Sequence, residues 1–478
     1  LILGAAVFTP GWGQPVDFTG FLPAKAPATP VKWRGITLPH LLAQGQIACK
    51  SGQSRRKTVK FGPPVSLFLV QARGARLTCR PSAHRKGLPM KIRSITALPV
   101  NIPFHAPYRF SYGAIASLTK TVIRLVTEDG VVGLGECADG DRAADVIAAG
   151  ARLVGMDLRD IHAAEAKLVP GMRYTPWGNV LAARRVFGGI EMAMWDARGK
   201  TEGVPLFQLL GGAVRTEIPL TEYFSYRWPG ANQPGESTPL EVARYCAMMI
   251  ERHGSVIFEG KVGAVALDEE VQMVREVRAA IGDRPLQLDA NGGWTVPTAR
   301  DALRRLAPYN ISWFEEPVET YEEMADLRRH SDIPFSAHMI DLPKAVTLRC
   351  PDCIVTNVNE HGGIRRTADF IRACEAFGVG FRFHSGETGI ASAAYLHLTA
   401  ALDHVRGASQ TLFHWYADDV IEGGPFTLEG GITRVPDGPG LGVTLDEKAL
   451  ARCHDRYLAE GAFPDGRSGG YGSLFRKR

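Results

Sequence analysis

From Met90 onward the chain shows two successive patterns of apolar and polar positions, and they predict two kinds of structure. Residues 92–102 and 121–127 are rich in β-branched and apolar side chains, and Glu128-Asp129-Gly130 reads as a turn leading into a further strand at 131–135. Residues 145–168 carry a helical pattern with breaks at Gly150 and Gly155, and 180–202 a long amphipathic helix that stops before Gly203. Together these form a small α+β unit. From Ile218 the chain alternates between short apolar strands and helices. Strands are predicted over 218–223, 256–261, 286–289, 312–315, 335–338, 353–356, 380–384 and 411–415. Helices are predicted between them, over 239–253, 268–281, 297–306, 321–330, 343–348, 364–377 and 391–404. Repeated strand–helix units of this length predict an α/β fold with a parallel sheet, and eight of them a closed (β/α)8 TIM barrel. An open doubly wound sheet is the alternative, but it would place a Gly-rich phosphate loop after its first strand, and none is present.

The segment before Met90 has a different character. Residues 1–89 are rich in Pro, Gly and Ser, show no sustained periodicity, and carry thirteen Lys and Arg against a single acid, Asp17. The chain's net charge of +5 therefore divides into +12 on this extension and −7 on the remainder. A basic arm can bind nucleic acid or anionic lipid; the plainer reading is that 1–89 lies outside the folded enzyme, as disordered or non-native sequence. The expected organisation is thus an extension over 1–89, a small domain over 90–212, a barrel over 213–415 and a tail over 416–478 that packs back on the small domain. No apolar run is long enough to span a bilayer, and no basic residues precede the mildly apolar stretch 1–12 as they would in a secretory signal. The eight cysteines follow no secreted-domain spacing, and the lone pair Cys350 and Cys353 reads as buried and structural. Reduced thiols and a cytoplasmic location are expected, with neither nucleic acid nor membrane as a partner.

The C-terminal ends of barrel strands carry the chemistry in such folds. Here those positions are Lys261, Asp289, Glu315, His338, Asn357 and His384, six consecutive strand ends that are polar or ionisable on largely apolar strands. Asp289 and Glu315 would lie on adjacent strands facing one cavity, and paired carboxylates there invite a divalent metal, with oxygen ligands suiting Mg²⁺. Against this, Asp289 can cap the Asn291-Gly292-Gly293 turn and Glu315 or Glu316 can be solvated. A lysine at Lys261 is expected to have its pKa lowered by desolvation and by a nearby metal, which would make it a base; a salt bridge to one of the carboxylates is the competing role. His384, followed by Ser385-Gly386-Glu387, is placed to act as a second acid or base, unless it is an ordinary core histidine.

The sequence Gly189-Ile190-Glu191-Met192-Ala193-Met194-Trp195-Asp196, followed by Gly199-Lys200, Pro205-Leu206 and Leu209-Leu210-Gly211-Gly212, closely resembles the signature of the mandelate racemase/muconate lactonizing enzyme family of the enolase superfamily. Leu288-Asp289-Ala290-Asn291-Gly292-Gly293-Trp294 and Trp313-Phe314-Glu315-Glu316-Pro317 resemble its first two metal-ligand motifs, and Gly362-Gly363-Ile364 its turn after the sixth strand. The resemblance covers about residues 90 to 460. It implies a modified (β/α)8 barrel closed by an α+β capping domain, and a reaction in which a substrate carboxylate binds Mg²⁺ while a base removes the alpha proton and the metal stabilises the enediolate. Lys261 matches the second lysine of the family's Lys-x-Lys motif and His384 its histidine. In the family's dehydratases that histidine donates a proton to the departing beta-hydroxyl.

Three positions depart from the pattern. Glu259 stands where the first lysine would be, His338 aligns with the third metal ligand, and Asn357 with the aspartate that orients the histidine. Imidazole suits Mn²⁺, Zn²⁺ or Fe²⁺ better than Mg²⁺, and an amide can orient His384 without stabilising its charged form. The expected metal set is Asp289, Glu315 and His338, holding Mg²⁺ with Mn²⁺ as the alternative. The expected catalytic set is Lys261, His384, Asn357 and Glu387. Residues 103–110 lie where relatives carry a mobile specificity loop, so His105 and Arg109 are expected to recognise substrate, with a second loop at 137–142 facing them. Tyr223, Glu259 and Asn291 complete the expected substrate contacts, and Tyr226 and Arg227 are further candidates. The leading expectation is a dehydratase of an acid sugar (an aldarate or aldonate). The competitors are a racemase or epimerase of a 2-hydroxy acid and a barrel that binds a ligand without turnover. The partner is a small carboxylate, and a homo-oligomer is the default for this family.

Overall fold

The computed structural model describes residues 56–61, 65–70, 90–137, 140–171, 180–231, 233–384 and 386–463. The chain divides into two units, 1–83 and 84–478. In the first, strands β1 (Arg56–Phe61) and β2 (Val65–Val70) pair antiparallel from Arg56↔Val70 to Phe61↔Val65. The sequence reading expects no regular structure there. The signal it passes over is Lys-Thr-Val-Lys-Phe and Val-Ser-Leu-Phe-Leu-Val on either side of Gly62-Pro63-Pro64, two β-rich runs around turn residues. The rest of the extension, and 464–478 of the tail, lie outside the described residues.

In the second unit the described residues begin at Met90, which is buried. Strands β3 (Ile92–Phe110), β4 (Gly113–Thr127) and β5 (Val132–Cys137) form an antiparallel sheet in that order. The helices α1 (Ala143–Ala151), α2 (Ile161–Leu168) and α3 (Val180–Glu202) follow, close to the predicted spans. The middle of α3, from Val186 to Ala197, is buried almost without interruption, because it is sandwiched rather than surface-laid. Its approach to β5 requires glycine: a Cβ on Gly135 would run into the Gly189 carbonyl oxygen.

The one clear departure in this domain is 103–110. It is not a loop but the continuation of β3 into a long hairpin, with Tyr108↔Ile115, Arg109↔Ala114 and Phe110↔Gly113 paired. Pro103 and Pro107 make the stretch read as irregular, since proline withholds a ladder hydrogen bond. The chain accommodates them with a register shift between Pro103 and Tyr108.

After α4 (Leu206–Leu209) the barrel begins. Its predicted first strand is split in two. β6 (Glu217–Pro219) pairs antiparallel with β14 (Ile432–Arg434) of the tail, and only β7 (Glu222–Phe224) joins the barrel sheet. The parallel sheet then runs through β8 (Phe258–Lys261), β9 (Leu286–Asp289), β10 (Ile311–Glu315), β11 (Phe335–Ala337), β12 (Cys353–Thr356) and β13 (Gly380–Phe383), in sequence order. Between and after them lie α5 (Pro239–His253), α6 (Leu267–Ile281), α7 (Val296–Leu306), α8 (Tyr321–Leu327), α9 (Leu342–Leu348), α10 (Val358–His361), α11 (Ile364–Phe377) and α12 (Gly389–Ala401). Local chemistry sets their ends. Thr238 and Glu241 close a reciprocal capping box before α5, and Gly254 at φ +63° stops that helix.

The predicted eighth strand at 411–415 is instead a short 3-10 turn at Phe413–Trp415. The barrel is closed just ahead of it. Thr221 N donates to Ser409 O at 2.9 Å, and Gln410 N donates to Phe383 O at 2.9 Å, so 409–410 bridge the first and last strands. The apolar run of Leu412, Phe413 and Trp415 misled because it packs outside the ladder, where Trp415 meets Tyr108 and Tyr223. The tail contacts the small domain. In α13 (Glu447–Glu460) Glu447 pairs with Arg124 on β4, and Glu460 accepts from Asn101 on β3. No helix among the described residues is long and apolar enough to cross a membrane.

Candidate active site

Parallel register brings the predicted residues together. Lys261 pairs with Asp289 and Asp289 with Glu315 as neighbours across β8, β9 and β10, while Glu315 is aligned with Ser336, two residues before His338. A cavity of about 1160 Å³ opens above these strand ends, lined by Asn291, Glu315, Glu316, His338, His384 and Tyr112 among others. The His338 and His384 rings meet edge to face with centroids 4.5 Å apart.

Beneath the cavity lies a dense array of buried charge. Lys261 donates to Asp289 Oδ2 in a short contact, and its ammonium sits 5.4 Å from the centre of the Tyr223 ring. Asp289 also accepts from Asn291 N at 2.7 Å and Asn291 Nδ2 at 2.9 Å. Gln410 Nε2 bridges Glu259 Oε1 at 2.5 Å and Glu315 Oε2 at 2.8 Å. Arg382 is fully buried under them, bonded to Gln287 and to Ser336 Oγ, with its guanidinium 3.7 Å from Glu259 and 3.8 Å from Glu315.

Burial lifts the Glu315 carboxyl well above the usual range, and Asp289 and Glu259 push it the same way. Glu259 is raised by burial too, with Arg382 opposing. Without a bound cation, the Lys261 pKa is not lowered as expected. Burial does disfavour its ammonium, but Asp289, then Tyr223 and Glu315, more than reverse this and hold it well above an ordinary lysine. Three buried carboxylates against two buried cations leave an excess of carboxylate oxygens over cationic partners at one point of the mouth. That excess, made of oxygen donors on adjacent strands, fits a divalent cation.

Other expected residues are placed differently. Asn357 spends its side-chain oxygen on the backbone N of Glu360 at 3.0 Å, capping α10. The Asn-x-x-Glu spacing that signals this cap was legible. Glu387 is buried beside Lys120 and Glu136, away from the cavity lining, and Ser385 beside it lies outside the described residues. Arg109 does not line the cavity: its guanidinium lies 5.7 Å from the Trp228 ring and donates to Ala264 O at 3.3 Å. His105 lies near Arg227 at the barrel's flank, with its pKa lowered by burial and then by that arginine. Tyr226 and Arg227 are wall residues, Arg227 being held by Glu236 at 2.5 Å between the Tyr245 and Trp415 rings. The second loop runs partly through residues 138–139, outside the described residues.

Sequence reading misses three features. Glu316, at φ +41°, accepts from His338 N at 2.7 Å and so fixes the strand end next to Glu315. The second is Arg382, a charge inside the strand Gly-Phe-Arg-Phe that faces the barrel interior. The third is a basic wall facing the mouth, Arg184 and Arg185 of α3 with Arg365 and Arg366 of α11. Arg185 is tied to Glu360 at 2.6 Å, whereas Arg184 Nε is buried with no hydrogen-bond partner.

Residues 92–211 match the mandelate racemase/muconate lactonizing enzyme N-terminal domain, and 241–449 the enolase C-terminal domain-like family. A probable glucarate dehydratase of Streptomyces coelicolor is 28% identical over 71% of this chain and 85% of its own length. A D-galactonate dehydratase of Ralstonia nicotianae is 30% identical over 68% of this chain and 88% of its own. An enolase of Pseudomonas fluorescens, crystallised with bound magnesium, potassium and tartrate, superposes with a TM-score of 0.72 at 25% identity, covering 81% of this chain and 99% of that one. With both domains matched and the strand-end residues of its motifs gathered at one barrel mouth, the chain belongs to the mandelate racemase/muconate lactonizing enzyme family of the enolase superfamily, and is an enzyme of its dehydratase and racemase kind.

Proposed function

We propose that this enzyme dehydrates an acid sugar, removing the proton alpha to its carboxylate and expelling the beta-hydroxyl as water. The observation that supports the reading is the shared register of Lys261, Asp289 and Glu315 across β8, β9 and β10, beneath a cavity lined by Glu315, His338 and His384. A divalent cation held by Asp289 and Glu315, with His338 next in register and Mg²⁺ the ion that suits the oxygens, would supply positive charge beside the substrate carboxylate and take Asp289 from Lys261. Lys261, once freed from Asp289 and having given its own proton to solvent, would accept the alpha proton as the neutral amine. The electron pair of the broken C–H bond forms the new double bond as the C–O bond beta to it breaks. His384 delivers a proton to that oxygen, so that water leaves rather than hydroxide. Glu259 and Tyr223 lie buried outside the cavity lining, Glu259 being held by Gln410 and Arg382. Asn291 keeps the Asp289 carboxylate in place through two hydrogen bonds. On the lining, half-buried Arg184, with its Nε unpaired, supplies a cation suited to a second anionic group, which favours a diacid over a monoacid.

The test is deuterium incorporation at the alpha carbon in D₂O with Mg²⁺ and then Mn²⁺, across a panel of aldarates, aldonates and 2-hydroxy acids, with water loss followed by mass spectrometry. Dehydration that disappears in Lys261→Ala and His384→Ala is expected. Exchange without water loss would convert the assignment to racemisation, which needs a base on each face and no leaving group.

A further inference from the structure

Along β7 successive side chains point to opposite faces. Tyr223 faces into the barrel under Lys261, and Glu222 faces out, toward α5. On that outer face Glu222 is buried and accepts from Ser255 Oγ at 2.8 Å, with Tyr245 OH at 3.5 Å. Its Oε2 also meets His414 Nδ1 at 2.9 Å. An ionised carboxylate only accepts, so this contact places the proton of a neutral His414 on Nδ1 and leaves the lone pair on Nε2. That Nε2 is buried and has no hydrogen-bond partner. The His253 ring, at the end of α5, stacks on His414 with centroids 4.0 Å apart, and its Nδ1 lies 2.9 Å from Glu429 Oε1. His253 O in turn accepts from Gly430 N at 2.7 Å, which fixes the turn carrying Glu429 against the helix end. One ligand atom from each of His253, His414 and Glu429 lies within 4.8 Å of the others.

We infer that His253, His414 and Glu429 form a second metal site, for a transition metal of the zinc class, on the outer wall of the barrel and separate from the mouth. Two imidazoles and a carboxylate are the donor set that selects Zn²⁺ over Mg²⁺. Glu222 is the carboxylate behind the ligating histidine that sets its tautomer and raises its basicity. A tetrahedral ion at ordinary Zn–N distances needs donors roughly 3.3 Å apart, so the three side chains must close slightly. Glu429 is 60% exposed and free to do so. Solvent completes the fourth position. The ion would join three pieces distant in sequence: the end of α5, the segment that closes the barrel and the tail turn before β14. Its role is to clamp the first and last barrel segments from outside.

The experiment uses the full chain without a histidine tag, stripped with chelator and titrated with Co²⁺, then Zn²⁺, in millimolar Mg²⁺. One equivalent of Co²⁺ is expected to bind with the visible absorption of a four- or five-coordinate site and to be displaced by Zn²⁺. The band should persist in Asp289→Asn/Glu315→Gln, which removes the mouth carboxylates. Affinity should fall at least 10-fold in His253→Gln, His414→Ala and Glu429→Gln, and about 10-fold in Glu222→Gln. His253 and Glu429 are partly exposed, so their variants remain informative even where His414→Ala disturbs folding. Unchanged Co²⁺ affinity in His253→Gln and Glu429→Gln, loss of the band in the mouth variant alone, or no binding tighter than millimolar would overturn the assignment.

Discussion

The molecule buries carboxylates in two regions and holds them by different means. At the seam between the capping domain and the barrel the partners are mostly backbone N–H groups. Glu191 accepts from Ile364 N at 2.7 Å, Arg365 N at 3.0 Å and Trp195 Nε1 at 2.7 Å, at the start of α11 where the helix dipole favours an anion. Asp196 accepts from Leu134 N, Leu441 N and Lys200 Nζ, each at 2.7 Å. At the mouth, Glu259, Asp289 and Glu315 are held largely by side chains and repel one another. Strain divides the same way. Gly363, at φ +113°, takes the left-handed turn at the seam, where a Cβ would strike Glu191. At the mouth Asn291 and Glu316 adopt positive φ with side chains attached. Backbone donors cannot rearrange, so the seam is built to stay as it is. Side-chain cations can be exchanged for a metal or a substrate, so the mouth is built to change partners.

The sharpest way to break this contrast is Lys261→Ala. Loss of a positioned base is expected to cut turnover about 10³-fold or more. In metal-free protein it also leaves Asp289 without its counter-charge, a loss of about 3–5 kcal/mol for a buried pair broken on one side. Urea unfolding should show that deficit shrinking in millimolar Mg²⁺ more than wild type gains. Equal gains in the two proteins would mean that Asp289 does not exchange its lysine for a cation.

Arg382→Met tests the same idea lower in the barrel, where no ligand reaches. Removing the guanidinium strands Glu259 and Glu315 together, and about 3 kcal/mol of stability should go with it. The double variant with Glu259→Gln should recover over half, because the second change removes one of the stranded charges. Additive losses in the cycle would show that Arg382 acts through packing on Trp313 and its bonds to Gln287 and Ser336.

These two residues also mark what sequence could and could not show. Lys261, Asp289, Glu315, His338 and His384 were legible because β-strand register carries polar residues at strand ends to one mouth. Arg382 was missed because a charge within a four-residue strand is indistinguishable, by pattern, from one facing solvent until the barrel is closed. Asn357 and Arg109 were misplaced for a related reason. A motif fixes a position along the chain but not what the side chain bonds, and both found nearer partners, in Glu360 N and in Ala264 O. The 103–110 hairpin pairs locally with 113–117 but was masked by its prolines, whereas the closing segment at 409–410 depended on long-range pairing that no local window contains.

Glu387 is the exception at the seam: both carboxyl oxygens are buried without a hydrogen bond. Burial pushes its pKa up to about 8, Lys120 opposing and Glu136 adding to the rise. The unfolded chain releases this proton near 4.5, so between pH 4.5 and 8 the folded protein binds more protons and stability falls as pH rises. Glu387→Gln removes the titration. It should match wild type in unfolding free energy near pH 5 and exceed it increasingly toward pH 9, by at most about 5 kcal/mol. A constant difference across that range would place the proton elsewhere.

The smallest effect isolates the strain at the mouth. Glu316→Ala and Glu316→Gly both lose the carboxylate that accepts from His338 N, so any difference between them belongs to the backbone. A left-handed φ costs an L-residue about 1–2 kcal/mol, and glycine returns about 0.5–1 of that through its greater freedom when unfolded. Glu316→Gly should therefore be the more stable of the two by about 0.5–1 kcal/mol, read from urea midpoints at equal slope. Were Glu316→Ala equal or better, the left-handed turn after Glu315 would store no strain, and the mouth would differ from the seam in its charge alone.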